Sequence, residues 1–348
     1  MKDSISKTND NPTRWLITGG CGFIGTSLIK NLVSQGGHTI RVLDNLSVGT
    51  RQDLARVCDF LEVSLDSLPS AVNLSPQTSN LKPSIVQLFV GDITDYETCL
   101  NCCQDIDIIV HLAANTGVGP SVEDPRKDME SNVIGTFNML EAAKHNGVRR
   151  FIFASSGAPV GECQPPIHEE LAPHPVSPYG ASKLAGEGYC SAYYRTFGLN
   201  TVALRFGNVY GPGSGHKNSV IAKFIKQAIQ GQPLEIYGDG NQTRDFIYIN
   251  DLIQAIRLSA TVEEIGGHVF QIATNHETTV LEMTNVLLPV LSDFGYKNVT
   301  VEHGEPRQGD VKRNYSDTSK AQQLLGWKAA VELTDGLKQT VEWFLIQR

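Results

Sequence analysis

The stretch Thr18-Gly19-Gly20-Cys21-Gly22-Phe23-Ile24-Gly25 lies between a short apolar run, Trp15-Leu16-Ile17, and a helical pattern that extends from Gly22 to about Gln35. A glycine triplet joining a strand to a helix leaves the chain few choices. Gly19 permits the tight turn, Gly22 lets an anion approach the backbone, and Gly25 lets the helix pack on the sheet. The turn amides and the helix N-terminus then form a seat for a pyrophosphate. Asp44 ends the next strand. A carboxylate there accepts both ribose hydroxyls and repels a 2′-phosphate, so the pattern favours NAD over NADP.

Further apolar runs continue the rhythm: Ile40 to Leu43, Ile85 to Val90, Ile106 to Val110, Phe151 to Phe153 and Thr201 to Phe206. Helical patterns alternate with them, near Met129 to Asn146 and Ser177 to Phe197. Strands without polar alternation are buried on both faces, which implies a parallel sheet covered by helices. The predicted fold class is therefore α/β, a doubly wound parallel sheet with a smaller C-terminal lobe. We expect a flexible tail over 1–13, a dinucleotide-binding domain over 14–206 plus 245–275, and a substrate lobe over 207–244 plus 276–348. The Ser-, Asn- and Pro-rich stretch at about 57–84 reads as an insertion. Asp92 follows the third strand, either to meet the adenine or to cap the next helix. Leu112-Ala113-Ala114 follows the fourth, where small side chains let the backbone approach a cofactor.

Composition removes other classes of function. The balance of 29 Lys+Arg against 37 Asp+Glu is mildly acidic, and no basic run suggests nucleic acid. No apolar run is long enough to span a bilayer, and the polar start resembles neither a signal peptide nor an anchor. Seven cysteines, an odd number, read as free thiols in a reducing, cytoplasmic setting. Cys99-x-x-Cys102-Cys103 lacks a second ligand pair, so packed side chains are expected there and no metal. His111, ending an apolar strand, reads as a structural histidine with its hydrogen bonds satisfied.

Tyr179 and Lys183 stand four apart in Tyr179-Gly180-Ala181-Ser182-Lys183 and share one helix face. An ammonium beside a phenol favours the phenolate, so the pair is expected to lower the tyrosine pKa toward neutrality and make it a base. The spacing alone is common. It gains force from the company it keeps: the glycine turn, Asp44-Asn45, Gly91-Asp92, His111-Leu112-Ala113-Ala114, Asn132-Val133-x-Gly135-Thr136 and Ser155-Ser156. Leu204-Arg205-Phe206-x-Asn208, Arg244-Asp245-Phe246 and Pro306-Arg307-x-Gly309-Asp310 complete the set. Together these resemble the extended short-chain dehydrogenase/reductase family in its nucleotide-sugar epimerase and dehydratase branch, over nearly the whole chain from Arg14.

The resemblance implies NAD held by Gly19, Gly22, Phe23, Ile24, Gly25, Asp44, Asn45, Asp92 and Ile93. It adds Leu112, Ala113, Ala114, Thr116, Asn132 and Phe206, with Lys183 on the nicotinamide ribose beside Tyr179. Tyr179 is then the catalytic base, and Ser156 binds the reacting hydroxyl. A UDP-sugar would be held by Thr116, Asn208, Ser219, Val220, Tyr237, Arg244, Arg307 and Asp310. A homodimer through the two long helices is also implied.

Family members share a first step that yields a 4-keto sugar, and added acids decide the fate of that ketone. Sugar 4,6-dehydratases carry an Asp-Glu pair directly after the serine or threonine, where this chain has Gly157-Ala158. The glutamate of glucuronate decarboxylases is absent too. The resemblance therefore implies C4 epimerisation. The alternatives are another nucleotide-sugar enzyme (4,6-dehydratase, decarboxylase or C4 reductase) or a non-catalytic NAD-binding regulator. Pro159-Val160-Gly161 replaces the family's Val-Tyr-Gly and reshapes the pocket wall near the sugar. His216 and Lys217 sit in a loop that lacks the arginines of many glucuronate epimerases and reads as solvated.

Overall fold

A computed structural model describes residues 12–64, 84–306 and 312–347. Nearly all of the expected tail, most of the expected insertion, and both Arg307 and Asp310 lie outside the described residues. Eight parallel strands form one sheet: β1 (Thr13–Thr18), β2 (His38–Asp44), β3 (Leu61–Glu62), β4 (Ile85–Val90), β5 (Ile108–His111), β6 (Arg150–Ser156), β7 (Thr201–Phe206) and the edge strand His268–Ile272. From the edge strand inward they run β7, β6, β5, β1, β2, β4, β3. The six central strands follow the 3-2-1-4-5-6 order of a doubly wound fold, and the order reverses between β1 and β5.

Strand alternation sorts side chains onto two apolar layers. Trp15, Ile17, Ile40, Val42, Ile108 and Val110 face one; Leu16, Leu43, Ile109, Phe151 and Phe153 face the other. α1 (Phe23–Gln35) contributes Leu28, Ile29 and Leu32 to the first layer. After α2 (Arg51–Ala55) and α3 (Tyr96–Cys102), the chain forms α4 (Val118–Glu123), α5 (Pro125–Met129), a π turn over Glu130–Ile134 and α6 (Gly135–His145). α6 and α7 (Pro178–Phe197) cover the second layer through Met139, Leu140, Cys190 and Tyr193. The sequence pattern reads Met129 to Asn146 as one regular helix. The structure inserts a π turn there, because the Asn132 side chain bonds to the loop at Asn115.

Beyond β7 the elements are short: β8 (Asn208–Tyr210), α8 (Val220–Ile229), β9 (Leu234–Tyr237), β10 (Thr243–Arg244) and β11 (Phe246–Tyr248). α9 (Ile249–Thr261) returns to the main sheet beside α1, and the edge strand β12 (His268–Ile272) follows. Then come β13 (Thr278–Thr279), α10 (Val280–Asp293), β14 (Val301–Gly304) and α11 (Leu333–Ile346). Their apolar residues, among them Phe224, Ile236, Met283, Leu287 and Trp327, join the layer that holds Ile17. Arg150 is fully buried at the start of β6 and donates to Ser259 O and Val262 O at 2.9 Å each, tying the sheet to the end of α9. Among the described residues no helix is long and apolar enough to cross a membrane.

Candidate active site

The strand ends at the β1–β5 reversal collect the residues that the sequence singles out. Gly19 has φ +67°, and a Cβ there would stand 2.8 Å from Ala113 N. At Gly25 a Cβ would stand 2.5 Å from Gly20 Cα, so only glycine lets α1 pack against the turn. Gly22 caps α1 without a side chain, and the first turn carries no acid. Its amides are thus left for an anion, the environment a dinucleotide pyrophosphate requires. Gly49 was not anticipated. A Cβ there would stand 2.3 Å from the Cys21 carbonyl, so the segment after β2 lies directly on the turn.

Asp44 braces the turn from β2: its carboxylate accepts Cys21 N–H at 2.9 Å and Leu46 N–H at 2.8 Å. Burial raises its pKa, and the two amides oppose that rise. Asp92 is not the helix cap, which is Asp95. It accepts from Thr94 and from Asn45 Nδ2 at 2.8 Å, and against burial these bonds hold its pKa below the usual carboxylate value. Ile93 is buried, Leu112, Ala113, Ala114 and Phe206 are half-buried at strand ends, and Thr116 is exposed. Asn132 receives Asn115 N–H on its Oδ1, while its amide group reaches Asn115 O, Asp128 and Ser182.

His111 is the satisfied structural histidine expected. Nδ1 lies 2.8 Å from Thr18 Oγ1, and Nε2 lies 3.1 Å from Thr136 Oγ1. Thr18 Oγ1 accepts Ala113 N–H and Thr136 Oγ1 donates to Asn132 O, so the chain of bonds is complete with Nε2 carrying the proton. Burial and the nearby Lys183 charge push its pKa down to about 3, and the ring stays neutral. Cys99, Cys102 and Cys103 pack into the core, where burial pushes each thiol well up.

α7 begins at Pro178 behind a Ser177 cap and carries Tyr179 and Lys183 to the end of β6. Tyr179 lies beside Ser156, whose Oγ accepts Ala158 N–H at 3.2 Å. Lys183 Nζ donates to Ala154 O at 2.9 Å and stands 5.9 Å from the Tyr179 ring centre. One expectation is corrected. Burial pushes the Tyr179 phenol up to about 12 rather than toward neutrality, and burial pushes Lys183 down to about 8. Removing both groups from water outweighs what the ammonium does for the phenolate at that separation.

The remaining substrate candidates lie on the short elements beyond β7. Asn208 pairs with Phe246 across β8 and β11, next to Arg244, which donates to Thr243 O at 2.7 Å. Ser219 and Val220 open α8, and Ser219 Oγ is shut off from solvent with no partner among the described residues. Tyr237 ends β9 with Lys223 Nζ 4.3 Å over its ring, so a lysine already covers one face. His216 is not simply solvated, because its Nε2 lies 3.0 Å from Asp53.

A sequence model of the NAD dependent epimerase/dehydratase family matches residues 15–273. The chain belongs to that family. The family match spans the glycine turn, Ser156, Tyr179 and Lys183. The UDP-glucose 4-epimerase of Mycolicibacterium smegmatis is 33% identical over 336 residues, 95% of this chain and 98% of that protein. A crystal structure of UDP-glucose 4-epimerase from Thermotoga maritima with UDP-glucose has a TM-score of 0.83 at 32% identity, covering 96% of this chain and 99% of that one. UDP-glucuronic acid 4-epimerase from Bacillus cereus, in complex with UDP-glucuronic acid and NAD, has a TM-score of 0.80 at 29% identity, covering 97% and 100%.

Proposed function

We propose that this protein is an NAD-dependent isomerase that inverts C4 of a UDP-sugar through a transient 4-keto sugar. One observation carries the reading: Ser156, Tyr179 and Lys183 meet at the end of β6, and the two positions that follow Ser156 are Gly157 and Ala158 rather than acids. A Cβ at Gly157 would meet nothing within 4 Å, so the wall next to Ser156 has room for a proton-exchanging side chain and offers none. Ala158 contributes only its backbone N–H, to Ser156. Elimination across C5–C6 needs a further acid and base; proton removal at the 4-hydroxyl needs only the phenol.

NAD, when held there, would supply the hydride chemistry at C4. Ser156 orients the 4-hydroxyl, Tyr179 takes its proton and later returns it, and Lys183 holds positive charge near the phenol. The uncapped start of α1 and Asp44 fit the pyrophosphate and ribose. Asn208, the Ser219–Val220 helix start, Tyr237 and Arg244 are our candidates for the UDP moiety. The test offers purified protein UDP-glucose, UDP-N-acetylglucosamine and UDP-glucuronate, with products read by NMR. We expect a C4 epimer from at least one. A 4-keto-6-deoxy sugar or a pentose in its place would overturn the reading.

We also infer a homodimer. Ile134 at the end of the π turn, Phe137 on α6, and Tyr189 and Phe197 on the adjacent α7 are exposed large apolar residues. Phe137 and Tyr189 stack edge-on at 5.6 Å, making a shared aromatic surface. Tyr189→Glu is expected to convert dimer to monomer in light scattering, and an unchanged mass would exclude this face. Seven free cysteines support a reducing, cytoplasmic setting.

A further inference from the structure

Behind the Tyr179–Lys183 face lies a carboxylate that the chemistry above does not use. Asp128, on α5, is 1% exposed. It accepts Asn132 Nδ2 at 2.9 Å. Asn132 also donates toward Ser182 Oγ at 3.1 Å, and Ser182 Oγ lies 3.1 Å from the Tyr179 carbonyl. Asp128, Asn132 and Ser182 therefore bolt α5 and the π turn to the turn of α7 that carries both Tyr179 and Lys183.

Burying a carboxylate is costly unless a charge answers it. The charges around Lys183 show which one does. Glu187, one turn along α7, is committed to Arg205 of β7 and to Ser155 of β6. Cys190 stays a neutral thiol because burial pushes its pKa far up, and His111 of β5 is neutral. Glu141 of α6 is paired with Lys144, while Glu123 of α4 and Glu130 of the π turn are exposed. That leaves Asp128 as the unneutralised negative charge acting on Lys183 among the described residues. Its field also reaches Tyr179, which stands beside Lys183.

We propose that Asp128 is a positioning residue for the C4 reaction: a buried carboxylate that keeps Lys183 an ammonium and, with Asn132 and Ser182, fixes the helix turn that aims Tyr179. The proposal rests on the reading of Tyr179 as the proton-transfer group. A carboxylate here favours the charged lysine and disfavours the phenolate, so it holds the pair in its resting state, phenol and ammonium. Burial alone works against the ammonium.

The test uses the purified protein with its cofactor, lysine labelled with 13C at Cε, and the Lys183 signal identified by its loss in Lys183→Met. Asp128→Asn keeps the shape and removes the charge. We expect the Lys183 titration midpoint to fall by about 1 pH unit. The alkaline limb of the turnover profile should move down by the same amount. A merely structural aspartate would change stability and leave the midpoint in place, and an unmoved midpoint overturns the proposal. Should the variant not fold, the wild-type protein decides: its Asp128 carboxyl carbon must report an ionised group at pH 7, and a protonated one is equally fatal. The lysine titration needs no sugar. Failure of the epimerase reading would show as wild-type protein that turns over no UDP-sugar, independently of the midpoint.

Discussion

Tyr179→Phe is expected to lower turnover of a UDP-sugar by about 10²–10⁴-fold, the usual contribution of a positioned acid–base group, with bound NAD unchanged. The geometry makes this substitution a narrow probe. Phenylalanine keeps the half-buried ring that stands beside Lys183 and removes only the phenol oxygen. Ser156 Oγ retains Ala158 N–H, and Lys183 Nζ retains Ala154 O, so neither neighbour is left without a partner. The loss should therefore fall on kcat rather than on KM, as for an interaction made only during proton transfer. NAD content would be read from heat-denatured protein, and turnover by NMR. Residual activity within tenfold of wild type would show that another group takes the proton. Loss of NAD together with activity would show that Tyr179 holds cofactor instead.

Much of this site was legible because its determinants are local. The glycine turn, Asp44 and the Tyr179/Lys183 spacing each state their geometry within a few residues, and the strands of a parallel sheet announce themselves as apolar runs. What stayed hidden depends on contacts between distant segments. Gly49 matters only because the chain after β2 folds back onto Cys21. Asp128 looks like one more charge in a polar stretch until α5 docks on α7 and buries it. The expected fall in the Tyr179 pKa failed for the same reason, since spacing reports which groups are neighbours and not how much water surrounds them. His111 was readable as structural because an apolar strand leads directly into it, but its threonine partners come from β1 and α6.

The largest expected effect on stability belongs to a residue outside the chemistry, Glu187. Its carboxylate meets Arg205 twice, Oε1 to Nε and Oε2 to Nη2, each at 2.8 Å, and Oε1 also accepts Ser155 Oγ at 2.6 Å. Both charged side chains are buried, at 4% and 5% exposure. A buried pair of this kind contributes little relative to an apolar pair of the same volume, but breaking it from one side leaves a charge without compensation. Glu187→Ala is therefore expected to destabilise the fold by about 3–5 kcal/mol, measured by urea denaturation. Arg205 cannot escape to water, being held in the second strand from the sheet edge with β12 on its far side. The injury should also reach the active site, because Ser155 precedes Ser156 and Glu187 stands one turn beyond Lys183. The double variant Glu187→Leu with Arg205→Met separates charge from packing. If the uncompensated guanidinium is the cause, removing it should restore most of the lost stability even though every hydrogen bond of the pair is gone. A double variant as unstable as Glu187→Ala would mean that the hydrogen bonds themselves, rather than the balance of buried charge, hold α7 to the ends of β6 and β7.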